Sequence, residues 1–152
     1  MPLHLDEEQQ EVVTAEAKFF ARRVLNPKAK EVYNQLYQSA QAGQLEDPQT
    51  GSLGEILSLG LISGRIRSQY GAHAEKAAAK LFRQTPQGEQ LQEQFRETNS
   101  ALKMLEGTTI HQLRLSARGP GLYSFVIDTS EYRLVISLGP DGVDVRSLEI
   151  SV

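Results

Sequence analysis

The chain has three histidines and no cysteine, and the spacing of its possible metal ligands and nucleophiles suits neither metal binding nor nucleophilic catalysis. The histidines, His4, His73 and His111, lie far apart and form no HExxH or His-x-x-x-His pattern. The absence of cysteine excludes thiol catalysis and cysteine-ligated metal sites. No Gly-x-Ser-x-Gly, P-loop or dinucleotide-binding glycine pattern occurs. We therefore nominate no catalytic residue and expect no metal and no cofactor, while the question of catalysis stays open.

Composition narrows the class of protein. The chain has 152 residues, 39% of them hydrophobic and 23% charged, as is typical of one soluble globular domain. Its net charge of -3 argues against a protein that coats nucleic acid. The acidic start lacks the features of a signal peptide, and the longest apolar run, residues 56–64, is about half the roughly 20 residues of a membrane helix. We expect a cytoplasmic protein that does not enter membranes.

Helical signals fill the first two thirds of the chain. Asp6 with Gln9 has the spacing of a capping box, and an apolar stripe continues to about Leu25. Asn26-Pro27 predicts a second helix start, and Gly43 its end. The polar residues 43–52 predict the longest and most mobile loop of the helical part, and Ser52 with Glu55 predicts the cap of a third, centrally placed helix.

Glycines and prolines punctuate the rest of the helical part. Gly54, Gly60 and Gly64 favour close packing against a neighbour, with a break near Gly64 as the other interpretation. Further helices are predicted over residues 72–82 and 86–106, separated by Thr85-Pro86.

The hydrophobic period then changes from 3.6 to 2, which indicates strands. Four strands are predicted, over residues 109–117, 122–127, 132–138 and 143–150, joined by Gly- and Pro-containing turns. The turn Gly139–Gly142 requires a positive φ at Gly142. The last strand changes phase between Val145 and Leu148, so a bulge is expected near Arg146-Ser147.

These elements predict an α+β fold in which an N-terminal layer of four to five helices is followed by a four-stranded antiparallel meander packed on the helices. We expect a single domain, 1–152, with a helical part (1–107), a sheet part (108–152) and one shared core. The strands from Leu122 to Ile150, preceded by helices, give an element order that resembles the cone-shaped folds of the nuclear transport factor 2 type. That resemblance, which no family motif accompanies, implies a pocket between the sheet and the helices.

Two groups of residues could bind a ligand. The first is a basic stretch of five residues with one acidic residue, Glu75, among them, which could bind an anion or an acidic partner; the alternative is a solvated face that balances the acidic first 62 residues. The second lies on the apolar side of the sheet and could line a small-molecule pocket; the alternative is a set of core or rim residues. The basic stretch comprises Arg65, Arg67, Lys76, Lys80 and Arg83, and the pocket group comprises His111, Tyr123 and Tyr132.

The last predicted helix carries an apolar stripe, Leu91, Phe95, Leu102 and Leu105, with the spacing of a short coiled-coil seam. This stripe could form a homodimer interface, and burial against the chain's own sheet is the alternative. The sequence favours a non-enzymatic protein-interaction or adaptor domain that binds a protein partner or itself. A small-molecule-binding domain, with or without enzymatic activity, is the second hypothesis.

Overall fold

The computed structural model describes residues 1–151, which form six α-helices, a short 3-10 helix at Asp47–Gln49 and six strands. The helices are α1 (Glu7–Arg23), α2 (Pro27–Gln41), α3 (Thr50–Ile62), α4 (Arg65–Tyr70), α5 (Ala72–Phe82) and α6 (Pro86–Lys103). The strands are β1 (Leu3–His4), β2 (Gln44–Leu45), β3 (Ile110–Gly119), β4 (Leu122–Thr129), β5 (Tyr132–Gly139) and β6 (Gly142–Ile150).

The predicted fold class is confirmed: helices precede a four-stranded antiparallel sheet that packs on a helix, in an α+β arrangement. The chain divides into two compact units, Met1–Glu89 and a second from Gln90 onward. The buried apolar residues form one cluster within each unit, and the expectation of one shared core stays a prediction. The single-domain assignment stays a prediction, and Val152, the last residue of the predicted sheet part, lies outside the described residues.

Two of the predicted helix starts are confirmed atom by atom. The Asp6 carboxylate accepts a 2.8 Å hydrogen bond from the backbone N–H of Gln9, whose side-chain oxygen accepts one of 3.1 Å from the N–H of Asp6. The Asn26 side chain accepts hydrogen bonds from Lys28 and Ala29, one residue before Pro27 begins α2. Side chains that satisfy the free N–H groups of the first turn explain why these helices begin where the sequence predicts.

The prediction of a long loop over residues 43–52 is wrong, because most of these residues belong to β2, the 3-10 helix and the start of α3. Leu45 is fully buried, and β2 pairs with β1 at the start of the chain, with Leu3 opposite Leu45. The 3-10 helix follows, and α3 begins at Thr50, so Ser52 lies inside that helix and not at its cap. A two-residue ladder formed by distant segments leaves no local periodicity, so the sequence pattern could not show it.

Both interpretations of the α3 glycines apply, at different positions. A side chain at Gly60 would meet the buried Ile66 at 2.6 Å, so this glycine allows close packing. Gly64 has φ +73° and precedes α4, a six-residue helix that the periodicity did not predict. The left-handed region is available to glycine at little cost. The helical path is therefore interrupted at Gly64, and α4 begins after it and buries Ile66.

The large sheet is a simple meander in the order β3-β4-β5-β6, with every neighbouring pair antiparallel. Gly142 has φ +113°, as the predicted hairpin requires. The predicted bulge is also confirmed: Val135 lies opposite Ser147 and Ile136 opposite Val145, which leaves Arg146 as the extra residue. The Arg146 guanidinium Nε donates a 2.7 Å hydrogen bond to the Ser137 hydroxyl.

Candidate interaction surface

One side of the large sheet is apolar in all four strands. Residues directly opposite each other point to the same side of a sheet, so the strand register identifies the rows of side chains on that side. Two adjacent rows cross the whole sheet, Leu113, Ile127, Leu134, Leu148 and Leu115, Phe125, Ile136, Val145.

Helix α6 covers only part of this apolar side. Its Ala101 packs with Ile127, Leu134, Ile136 and Val143 in the core of the second unit. A helix with its side chains is about 10–12 Å across, whereas four strands about 4.8 Å apart extend over roughly 15–19 Å. One helix therefore leaves about 3–9 Å of the sheet's width uncovered, on the order of one strand.

The strand that is exposed along its whole apolar side is β3, and at the opposite edge Leu148 and Ile150 of β6 are also exposed. The exposed fraction is 55% for Leu113, 65% for Leu115 and 44% for Tyr123, which lies on β4 opposite Ala117. We call these residues, Leu113, Leu115, Ala117 and Tyr123, the β3 surface. It combines exposed apolar side chains with the free edge of a sheet, since β3 pairs on one side only.

The predicted α6 interface separates into two groups. Leu102 and Leu105 pack against the core of their own sheet, and half-buried Leu91 lies close to Gly142, so for these three residues burial within the chain prevails. Phe95 differs, because 51% of it is exposed. The role of the stripe in a dimer stays a prediction and now depends mainly on Phe95.

The three residues of the predicted pocket do not meet. Tyr123 lies opposite Leu138, whereas Tyr132 begins β5 six residues earlier, roughly 20 Å along the strand. His111 is exposed at a bulge between Ile110 and Gln112, which removes it from the alternation that predicted its direction. The structure thus does not bring the group together, and its ligand role stays a prediction.

The basic stretch is partly neutralised within the chain. Arg65 forms an ion pair with Glu16, and the Arg67 guanidinium lies 3.3 Å from a Glu75 carboxylate oxygen. Lys76 and Lys80 are exposed on α5 and Arg83 at its C-cap, at spacings of four and three that place them on one side of the helix. Anion binding by this stretch stays a prediction.

Glu16 is a buried charge that the sequence interpretation missed. Its side chain is fully buried, one oxygen accepts a hydrogen bond from Arg65, and the other oxygen has no hydrogen-bond partner. The Arg65 guanidinium also stacks 3.3 Å from the centre of the Phe19 ring. Burial, and after it the Glu16 charge, raises the pKa of the neighbouring Tyr70. The signal was present, because Glu16 lies three residues after Val13 on the apolar stripe of α1.

The two hollows described in the structure lie in the first unit and not at the predicted pocket. A wide groove of about 620 Å³ is lined by α1 and α2, mostly with polar side chains such as Gln10, Lys18 and Gln41. A smaller hollow of about 150 Å³ is lined by residues that include Glu8, Glu11, Tyr70 and His73. Small-molecule sites are usually lined mainly by apolar and aromatic side chains, so neither hollow favours ligand binding.

Residues 1–151 contain no cluster of three or more histidine, aspartate or glutamate side chains placed to hold a metal ion. Within the same residues, no helix combines the length and the apolar character needed to cross a membrane.

Comparisons with protein-family models, with curated proteins and with solved structures found no match to this chain. The resemblance to nuclear transport factor 2 folds therefore stays one of element order, and functional inference depends on the chain's own surface.

Proposed function

We propose that this chain is a non-enzymatic, cytoplasmic protein-interaction domain that associates with itself through the β3 surface. The observation that carries the proposal is the exposure of Leu113 and Leu115 on the side of the sheet that elsewhere forms the core. Contiguous exposed apolar patches mark interaction sites more often than isolated exposed leucines do.

The part of Leu113 and Leu115 that is still exposed to water sets how much free energy a partner could contribute by burying them. Complete burial of a leucine side chain is worth about 1.5–3 kcal/mol. With more than half of Leu113 and Leu115 still in water, each has on the order of 1 kcal/mol to gain from a partner. Phe95 adds a second exposed apolar group in the same unit. These gains are of the size expected of interface residues that contribute to affinity.

Sedimentation equilibrium over low to high micromolar concentration tests the proposal. We expect the natural chain to form dimers and Leu115→Glu to shift the equilibrium toward monomer by at least tenfold in Kd. Ser116→Glu is the matched control, because it places the same charge on the same strand but on the polar side of the sheet, opposite the neutral Ser124. Circular dichroism establishes that both variants remain folded.

The outcomes separate the two candidate surfaces. A dimer that Phe95→Glu dissociates and Leu115→Glu does not would assign the interface to α6. A natural chain that stays monomeric at high micromolar concentration would overturn self-association.

A further inference from the structure

The free edge of β3 contains a regular stretch of backbone that is open to pairing. The register with β4 is interrupted between Ile110 and Gln112 and again between Ala117 and Gly119. The six residues between these bulges, 112–117, pair without interruption on their β4 side. An edge strand of this kind presents unpaired N–H and C=O groups that can extend the sheet with another strand.

The side chains restrict how a second copy could pair with this edge. In an antiparallel pair that keeps both apolar sides together, a residue of the strand must lie opposite itself at the two-fold axis. Centring the axis on Arg114 places two arginines opposite each other, and centring it on Ser116 places Arg114 opposite Arg118. Like charges directly opposite each other destabilise strand pairs, so these two registers are disfavoured.

The register centred on Leu115 avoids both conflicts. Leu115 then lies opposite Leu115 of the second copy, Leu113 opposite Ala117, and Arg114 opposite Ser116. The apolar side meets apolar residues only, and each arginine of the regular stretch faces a neutral side chain. Centring on Leu113 would bring the bulged His111 into the ladder and leave Ala117 unpaired.

We propose that two copies of this chain pair antiparallel along β3 about a two-fold axis at Leu115, which joins their four-stranded sheets into one sheet of eight strands. This inference rests on the proposed self-association and specifies its geometry. The interface is closed, because the same edge is used on both copies, and the assembly therefore ends at a dimer.

Disulfide trapping tests the register cleanly because the natural chain has no cysteine. In Leu115→Cys the two introduced thiols lie opposite each other at the axis, within the roughly 4.4–6.8 Å Cα separation of a disulfide. In Leu113→Cys they lie four residues out of step, about 13 Å apart along the strands. We expect mild oxidation to yield covalent dimer from Leu115→Cys at least tenfold faster than from Leu113→Cys.

A second pair of variants covers the case in which Leu115→Cys does not fold. Arg114 and Ser116 are exposed on the polar side and lie opposite each other in the proposed register. An equimolar mixture of Arg114→Cys and Ser116→Cys should form a mixed covalent dimer, whereas each variant alone should not. Non-reducing electrophoresis and intact mass measure both experiments.

The results distinguish this inference from the proposed function. Cross-linking that follows the predicted pattern supports the two-fold register. A natural chain that is dimeric by sedimentation but whose variants cross-link equally, or not at all, overturns the register and leaves self-association standing. A cross-link that instead joins Leu115→Cys to Leu148→Cys would show head-to-tail pairing with β6 and also overturns it. A monomeric natural chain overturns both.

Discussion

At the scale of single residues, the most unusual feature is the Glu16 carboxylate, which is buried and paired with one guanidinium. Removing the partner of a buried charge is far more costly than replacing both members of the pair by apolar groups. Arg65 keeps 21% of its side chain exposed, so water reduces the penalty somewhat.

The first prediction concerns this pair. Arg65→Met should lower the free energy of unfolding by about 2–4 kcal/mol, because Glu16 then remains buried without a counter-charge. The double variant Glu16→Leu with Arg65→Met should recover most of that loss. Urea denaturation of the two single variants and the double variant measures the coupling. Equal and additive losses would show that the ion pair does not compensate the buried charge.

The raised pKa values of two tyrosines predict how the free energy of unfolding changes at alkaline pH. Burial, and after it the charge of Glu55, raises the pKa of Tyr33, as burial and Glu16 do for Tyr70. Above the ordinary value of 10.0, the unfolded chain loses these protons while the folded chain retains them. The unfolded state then binds fewer protons, so the free energy of unfolding falls as the pH rises.

The second prediction follows from that sign. Relative to its value at pH 7, the stability of the double variant Tyr33→Phe with Tyr70→Phe should fall less steeply between pH 9.5 and 11 than that of the natural chain. Urea midpoints across this range provide the measurement, and the pH 7 values correct for the lost hydroxyl groups. An unchanged alkaline slope would contradict the raised pKa values.

At the scale of elements, glycine has opposite roles in α3 and α6. Gly51, in the first turn of α3, has open space around the position of a side chain. Gly88, in the first turn of α6, lies against the backbone of Phe82 and Arg83, with the Arg83 Cα only 2.8 Å from where a Cβ would be. Helix propensity favours alanine over glycine at both sites, and packing opposes it only at Gly88.

The third prediction compares the two glycines directly. Gly51→Ala should raise the free energy of unfolding by a few tenths of a kcal/mol up to about 1 kcal/mol. Gly88→Ala should lower it by more than about 1 kcal/mol, since backbone atoms must move to admit the methyl group. Thermal and urea unfolding of the matched pair test the claim. A stabilising Gly88→Ala would mean that α5 and α6 pack less closely than the structure shows.

The elements that the sequence predicted correctly are those with local signals. Asp6 and Asn26 mark helix starts by hydrogen bonds within three residues, and Gly142 and Arg146 mark a hairpin and a bulge by residue type and phase. The β1–β2 ladder and α4 escaped prediction because they depend on contacts between distant segments. Leu45 pairs with Leu3, and α4 is fixed by the burial of Ile66 and by the pairing of Arg65 with Glu16.

At the scale of the whole molecule, the sequence showed which side of β3 is apolar but not that it would remain uncovered. That outcome depends on how much of the sheet is covered by helix, and among the described residues of the second unit the helical part of the core consists of Ala101 and Leu102 of α6. The same fact explains why the residues of the predicted dimer stripe differ in burial. Leu102 and Leu105 pack against the core of the sheet, whereas Phe95 remains exposed. The pocket residues failed to meet because strand parity fixes the side of a side chain and not its position along the strand.

Self-association couples assembly to thermal stability, which leads to the fourth prediction. A dimer that dissociates on unfolding gains about 1.4 kcal/mol for each tenfold rise in protein concentration above its Kd, or roughly 0.7 kcal/mol per chain. For a chain of this length, that corresponds to about 2 °C in Tm per tenfold change. We expect the Tm of the natural chain to rise by about 3–5 °C between 5 and 500 µM, if the Kd lies near the lower concentration.

Leu115→Glu and Ser116→Glu provide the comparison for this measurement. Leu115→Glu should have a Tm that is independent of concentration, because it unfolds as a monomer over the whole range. Ser116→Glu should retain the slope of the natural chain, since its added charge lies on the polar side of the sheet, opposite the neutral Ser124. Aggregation would also depend on concentration, but it lowers reversibility and does not distinguish the two sides of β3. A slope that survives in Leu115→Glu would therefore place the coupling between assembly and folding elsewhere on the molecule.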